Sequence, residues 1–359
     1  MLARKNILDI TPYEPGKPIE EVQRELGLKE VIKMASNENP FGPSPKAIDA
    51  MAKRLKDVNR YPDASCYYLK ERLARQWCVK PSNLIVGNGS DELIILALKA
   101  FLNEGEEVII ADTTFLIYRI ASQVSGAKII TVPMKDFRYD LKAIKKMVTD
   151  KTKIVFIANP DNPTGTYVTK LEVGEFMDGL PEGLLVFFDE AYYEFGSLEK
   201  DYPDTLKFIN KGNVITTRTF SKAYGLSGLR VGYGISSPEV IDFMNRVREP
   251  FNVNLLAQAG ALAALDDSSF LMKTLEGTKR GREFLCSEFK RLSLDYVPSA
   301  ANFVLVDIKK DSWEAFKHFL EQGVIVRDMK AWGLNTHIRV TVGTQEQNKR
   351  FVEILRTII

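Results

Sequence analysis

The segment Thr219-Phe220-Ser221-Lys222-Ala223-Tyr224-Gly225-Leu226-Ser227-Gly228-Leu229-Arg230-Val231-Gly232-Tyr233 sets one amine among groups that hold anions. A lysine that forms an imine must spend time unprotonated, and burial beside a cation such as Arg230 lowers its pKa toward that state. Lys222 is therefore a candidate nucleophile. Thr219, Ser221 and Arg230 supply hydroxyl and guanidinium donors suited to a phosphate, and glycines at 225 and 228 let the backbone approach it closely. A Ser-Lys pair alone is usually a surface feature; the whole pattern, directly after the apolar run Val214 to Thr217, gives it chemical meaning.

A second set lies at the end of Leu184-Leu185-Val186-Phe187-Phe188-Asp189-Glu190-Ala191-Tyr192, a buried run closed by a carboxylate. An acid there needs a partner. A pyridine ring that accepts electrons from a substrate carbanion, as in pyridoxal phosphate, must keep its nitrogen protonated, and a buried carboxylate achieves this. Asp189 fits that task, and Tyr192, three residues on, can donate to the ring oxygen. The bland alternative for Asp189 is a strand-end cap or a metal ligand.

Two further turns follow apolar runs. In Ala158-Asn159-Pro160-Asp161-Asn162-Pro163-Thr164-Gly165-Thr166 two X-Pro steps and a glycine stiffen the chain around Asn162, whose amide could then be held against the ring oxygen. In Val86-Gly87-Asn88-Gly89-Ser90-Asp91-Glu92 a helix start at Ser90 offers backbone amides to phosphate. Glu92 stands where a dinucleotide fingerprint needs its third glycine, which disfavours a nicotinamide site.

The elements that must position these residues alternate. Leu84 to Val86, Glu107 to Ala111, Lys128 to Val132, Ile154 to Ala158, Leu184 to Phe188 and Val214 to Thr217 read as buried strands, with helical stretches at Ser90 to Leu102, Asp140 to Val148 and Thr169 to Leu180. This predicts an α/β domain with a largely parallel sheet and chemistry at the strand carboxyl ends. After Pro238 helices dominate (239–248, 255–265, 273–292). Strands at 302–306, 323–326 and 337–342 with helices at 312–320 and 345–354 then describe a smaller α+β domain. The expected division is an N-terminal arm over 1–30, a large domain over 31–265 and a small domain over 266–359.

Composition narrows the function classes. Lys and Arg number 49 against 47 Asp and Glu, a net charge of +2, which gives no field for nucleic acid. His318 and His337 lack companions at metal-ligand spacing, and Cys66, Cys78 and Cys286 form no framework, so no metal and a reducing cytoplasm are expected. Met1 to Asp9 lacks a signal-peptide core, and Leu93 to Leu102 is short and broken by Lys99, so neither secretion nor a membrane is expected.

In order and content the four motifs resemble the fold-type-I pyridoxal-phosphate aminotransferases. Pro15-Gly16-Lys17-Pro18, Ala35-Ser36-Asn37-Glu38-Asn39-Pro40, Gly42-Pro43-Ser44-Pro45, Tyr61-Pro62-Asp63, Pro250-Phe251-Asn252-Val253-Asn254 and Arg339-Val340-Thr341-Val342-Gly343-Thr344 resemble the histidinol-phosphate branch of that family. The similarity runs from Tyr13 to Val352. It implies a fold-type-I large domain, pyridoxal 5′-phosphate as cofactor and a homodimer with shared active sites. It implies Lys222 as Schiff-base lysine and proton shuttle, Asp189 on the pyridine nitrogen, Asn162 and Tyr192 on the ring oxygen, and Phe115 stacked on the ring. The amides of Ser90 and Asp91 join Thr219, Ser221 and Arg230 at the phosphate, with Tyr61 entering from the neighbouring subunit. Arg339 corresponds to the arginine that takes the carboxylate of glutamate or 2-oxoglutarate. Tyr13 and Arg327 correspond to contacts of the substrate phosphate, and Asn37 to a further substrate contact. Without the resemblance, Arg327 and Arg339 read as surface ion-pair residues, and Tyr13, Tyr61 and Phe115 as packing. The implied reaction joins histidinol phosphate and 2-oxoglutarate. An aromatic-amino-acid aminotransferase is the runner-up, a threonine-phosphate decarboxylase a more distant possibility, and a regulatory binding module on the same fold an alternative of another class.

Overall fold

β-Branched and aromatic runs build the centre of the molecule. In the computed structural model, which describes residues 2–359, seven strands form one sheet. Their spatial order is Leu84–Gly87, Gly232–Ser236, Val214–Thr219, Leu185–Asp189, Thr152–Ala158, Glu107–Ala111, Lys128–Val132. Gly232–Ser236 runs against both neighbours; every other adjacent pair is parallel. The inner strands are buried almost throughout, and Lys128–Val132, at one edge, is the only one largely open. Helices on both faces explain why these strands are continuously apolar instead of alternating.

The sequence did not announce Gly232–Ser236 as a strand, because Gly232 and Gly234 weaken any strand pattern. The structure supplies the reason for both. A Cβ at Gly232 would lie 2.6 Å from the Ser90 amide nitrogen, and one at Gly234 would lie 3.1 Å from Ile85 Cγ2. The strand slots into place only because its backbone approaches its neighbours so closely.

Register then fixes the site. Ala158 pairs with Asp189 and Asp189 with Thr217, so the loops bearing Asn162, Tyr192 and Lys222 leave neighbouring strands at one edge of the sheet. Ser90 opens the helix Ser90–Phe101 at the same edge, where Gly87 pairs with Gly232.

A second core lies beyond the 24-residue helix Ser268–Arg291, which Asp267 caps by accepting from the Phe270 amide. Its Leu275 packs with Tyr192 and Phe195, while Leu285 and Phe289 enter the C-terminal core, so one helix joins both cores. The four-stranded antiparallel sheet there runs Arg327–Asp328, His337–Thr341, Phe303–Asp307, Asp295–Val297. The N-terminal residues attach to this lobe: Ile32–Lys33 pairs in parallel with Val324–Ile325, and Val22 and Ala35 share a core with Ile325. No helix among the described residues is long and apolar enough to cross a membrane.

Candidate active site

Every residue expected at the site except Tyr61 lines one cavity between the carboxyl edge of the large sheet and the C-terminal lobe. Tyr61 lies outside it, 82% exposed, its ring stacked on Phe251 at 4.5 Å between centroids.

Lys222 projects into this cavity from the loop after Val214–Thr219, and its Nζ donates to the Ser36 carbonyl at 3.3 Å. Burial, and then the positive charge of Arg339, bring its pKa down to about 8, with Arg230 adding to the effect against Asp91 and Glu38. A lysine so placed is far more often unprotonated near neutral pH than an ordinary lysine, as an imine-forming amine requires.

Asp189 closes the inner wall. It is 5% exposed, and burial raises its carboxyl to about 6 against the pull of a hydrogen bond from Tyr118. The Tyr118 hydroxyl donates to Oδ2 at 2.6 Å and the Ala191 amide to Oδ1 at 3.1 Å. Such a carboxylate favours a cationic partner from a ligand. Tyr192 is buried, with its hydroxyl accepting from Asn37 Nδ2 at 2.8 Å; Asn37 is itself held by Thr341. Phe115 opens the helix Leu116–Val124 and meets Tyr118 edge to face.

At one end lies an anion cradle. The Ser221 amide donates to Thr219 Oγ1 at 3.1 Å, and Arg230 reaches Ser221 Oγ at 3.4 Å and Asp91 Oδ2 at 3.2 Å. Gly89 is required here: its φ is +80°, and a Cβ on it would fall 2.5 Å from Arg230 Nη2. The helix start at Ser90 completes the cradle with backbone donors.

The opposite end carries cations of the C-terminal lobe. Arg339 is buried and donates to Asn162 Oδ1 and, at 2.6 Å, to the Ala35 carbonyl, yet its Nε has no hydrogen-bond partner among the described residues. Arg327 donates to the Glu14 carbonyl at 2.9 Å and lies beside the rings of Tyr13 and Trp332. These two were legible only through family resemblance; in the fold both are buried, and among the described residues neither has an ion-pair partner.

Sequence reasoning missed Tyr118, which lies three residues after Phe115 in the first turn of the following helix. It also missed the Ser36 carbonyl, which no side-chain pattern reveals. No group of three or more His, Cys, Asp or Glu that could hold a metal occurs among the described residues. Two ends rich in cationic and hydroxyl donors, an amine of lowered pKa and a buried acid facing the same space suit a phosphorylated, cationic-ring cofactor and a second anionic ligand.

Comparisons with known proteins agree. The family model described as aminotransferase class I and II matches residues 29–355. The histidinol-phosphate aminotransferase of Moorella thermoacetica is 51% identical over 99% of this chain and 92% of its own length. Histidinol-phosphate aminotransferase 2 of Carboxydothermus hydrogenoformans is 45% identical over 100% of this chain and 99% of its own. The crystal structure of histidinol-phosphate aminotransferase from Sinorhizobium meliloti in complex with pyridoxal-5′-phosphate superposes with a TM-score of 0.91 at 30% identity, covering 100% of this chain and 98% of that one.

Proposed function

Because this chain belongs to the class I and II aminotransferase family, we propose that it transfers the amino group of L-histidinol phosphate to 2-oxoglutarate, giving imidazole acetol phosphate and L-glutamate, with pyridoxal 5′-phosphate as cofactor. One observation carries this: the Lys222 amine, the Asp189 carboxylate and the Arg339 guanidinium face a single cavity.

When bound, the cofactor supplies an electron sink that acidifies the substrate α-carbon. Lys222 would hold it covalently through Nζ and, once the substrate amine has displaced that nitrogen, the freed amine would move the proton between that carbon and the cofactor's C4′. Asp189 keeps the ring nitrogen protonated, and Tyr118 fixes the carboxylate that does so. Tyr192 and Asn162 bind the ring oxygen, and Phe115 covers the ring face. Thr219, Ser221, Arg230 and the amides of Ser90 and Asp91 hold the cofactor phosphate. Arg339 takes the carboxylate of the dicarboxylic acid, since its free Nε–H suits bidentate pairing. Arg327 and Tyr13 meet the substrate phosphate, with Asn37 bracing Tyr192.

Tyr61 completes the cradle of a partner subunit in a homodimer, and its exposure beside Tyr67 and Tyr68 supports a surface that a second chain covers. The chain works in the cytoplasm, consistent with three free cysteines.

Borohydride reduction of the cofactor-supplemented protein should fix the cofactor to the peptide containing Lys222, and Lys222→Ala should abolish transamination. A colourless wild-type protein would sink the proposal. Preference for phenylalanine over histidinol phosphate in steady-state assays would replace the substrate with an aromatic amino acid.

A further inference from the structure

Thr114, Asp161 and Trp332 form a hydrogen-bonded link with no part in the roles above. Thr114 is buried, and its Oγ1 donates to Asp161 Oδ1 at 2.6 Å while lying 2.7 Å from the Tyr139 hydroxyl. A hydroxyl has one proton to give, so Tyr139 is the donor in the second contact. The other Asp161 oxygen accepts from the Thr164 amide at 3.2 Å and from Thr164 Oγ1 at 2.9 Å. From the C-terminal lobe, Trp332 Nε1 donates to the Thr114 carbonyl at 2.7 Å.

Each member of the link adjoins a residue of the cavity. Phe115 follows Thr114 and Asn162 follows Asp161 in the chain, and the Arg327 guanidinium lies 5.5 Å from the Trp332 ring centroid. The Asn162 side chain is bound in turn by Arg339. Three separate segments are thus tied at one threonine: the loops after Glu107–Ala111 and Thr152–Ala158, and the C-terminal lobe.

We propose that Asp161 and Trp332 are positioning residues that act through Thr114, setting Phe115 and Asn162 relative to one another around the bound ring and fixing both to the lobe that carries Arg327 and Arg339. This rests on the pyridoxal-phosphate reading of the cavity. A residue covering a ring face is effective only if its loop is ordered before the ligand arrives, because ordering it on binding costs affinity. The acid at 161 suits its place: a carboxylate accepts from all three donors, whereas the amide of Asn would turn an NH2 either toward the Thr164 amide, which cannot accept it, or toward the Thr114 hydroxyl, which would accept it only by turning its own proton to Tyr139. Trp332 likewise has two separable parts, an N–H for Thr114 and a ring face for Arg327.

The test uses the full chain with Trp332→Phe, Thr114→Val, Asp161→Asn and the Thr114→Val/Asp161→Asn double variant. Pyridoxal phosphate dissociation constants are measured by absorbance titration, and amide hydrogen exchange over 112–118 is followed in cofactor-free protein. Trp332→Phe keeps a ring beside Arg327 and should raise the dissociation constant about five- to tenfold, the size of one hydrogen bond, with faster exchange over 112–118. The double variant should lose less affinity than the product of its two singles, since both disturb the same contact. Wild-type affinity and exchange in Trp332→Phe would overturn the proposal, as would a loss of thermal stability with no change in cofactor affinity, or fully multiplicative losses in the double variant. A parent protein that takes up no pyridoxal phosphate overturns the functional reading itself, a result distinct from unchanged variants beside a parent that binds.

Discussion

Two buried arginines show how differently the fold treats the same side chain. Arg218 donates from Nε and Nη2 to Glu190 Oε2 at 2.9 and 2.8 Å, and its guanidinium carbon sits 3.3 Å from the Tyr193 ring centroid and 4.0 Å from that of Trp77. Burial pulls against its charge, but Glu190 and the surrounding tyrosines push its pKa above the ordinary arginine value. Among the described residues Arg339 has no acid within ion-pair distance; it binds a carbonyl and an amide oxygen, and burial draws its pKa down. A compensated cation completes a core. An uncompensated one, facing a cavity, is a place for an anion.

The comparison can be broken most forcefully at Arg218. Arg218→Leu leaves Glu190 charged and buried without its partner, which should cost ~3–5 kcal/mol of stability; denaturant unfolding would check this, and a variant as stable as wild type would refute the structural assignment. Arg339→Gln should act on the other axis. We expect kcat/KM for 2-oxoglutarate to fall about 30- to 150-fold, corresponding to ~2–3 kcal/mol for a lost charged hydrogen bond, while the thermal midpoint holds or rises because an uncompensated buried charge has been removed. Equal loss of stability and activity would erase the distinction between the two arginines.

A pH experiment sharpens it further. In the proposed role only the unprotonated Lys222 amine attacks the cofactor aldehyde, so uptake of pyridoxal phosphate by cofactor-free protein should accelerate with rising pH, with its midpoint near 8 and a plateau about one pH unit higher. After burial, Arg339 is the largest influence lowering that pKa, so Arg339→Gln should shift the midpoint upward. An unmoved midpoint in stopped-flow traces would mean the two charges do not communicate. The smallest effect is expected at Arg246, which pairs with Asp242 at 2.6 Å on an exposed helix face. Arg246→Ala should change stability by less than ~0.5 kcal/mol in the same unfolding assay, confining the lesson to buried charges.

How much of this was legible follows from distance along the chain. Thr219, Ser221, Lys222 and Arg230 fall within twelve residues, and Asp189 and Asn162 each sit just past an apolar run, so strand patterning and turn chemistry pointed to them directly. The arginine end is different. Arg339 binds the Ala35 carbonyl across 304 residues, and Asn37 meets Thr341 across the same span. No local pattern carries such a contact, and family resemblance supplied Arg327, Arg339 and Tyr13. Tyr118 and the strand Gly232–Ser236 were missed for different reasons: no local pattern marks a lone tyrosine as the partner of a distant carboxylate, and glycines at 232 and 234 weaken a strand pattern.

The amino-acid sequence by itself determined the alternation of strand and helix, the lysine with the hydroxyls and arginine near it, and the acid at a strand end, because these depend on periodicity and on neighbours a few residues apart. Tertiary structure alone decided which cations would be left without a counter-charge, which tyrosine would brace Asp189, and that Trp332 would reach Thr114. Those outcomes depend on the packing of segments hundreds of residues apart, where burial, not spacing, sets the cost of a charge and the direction of a hydrogen bond.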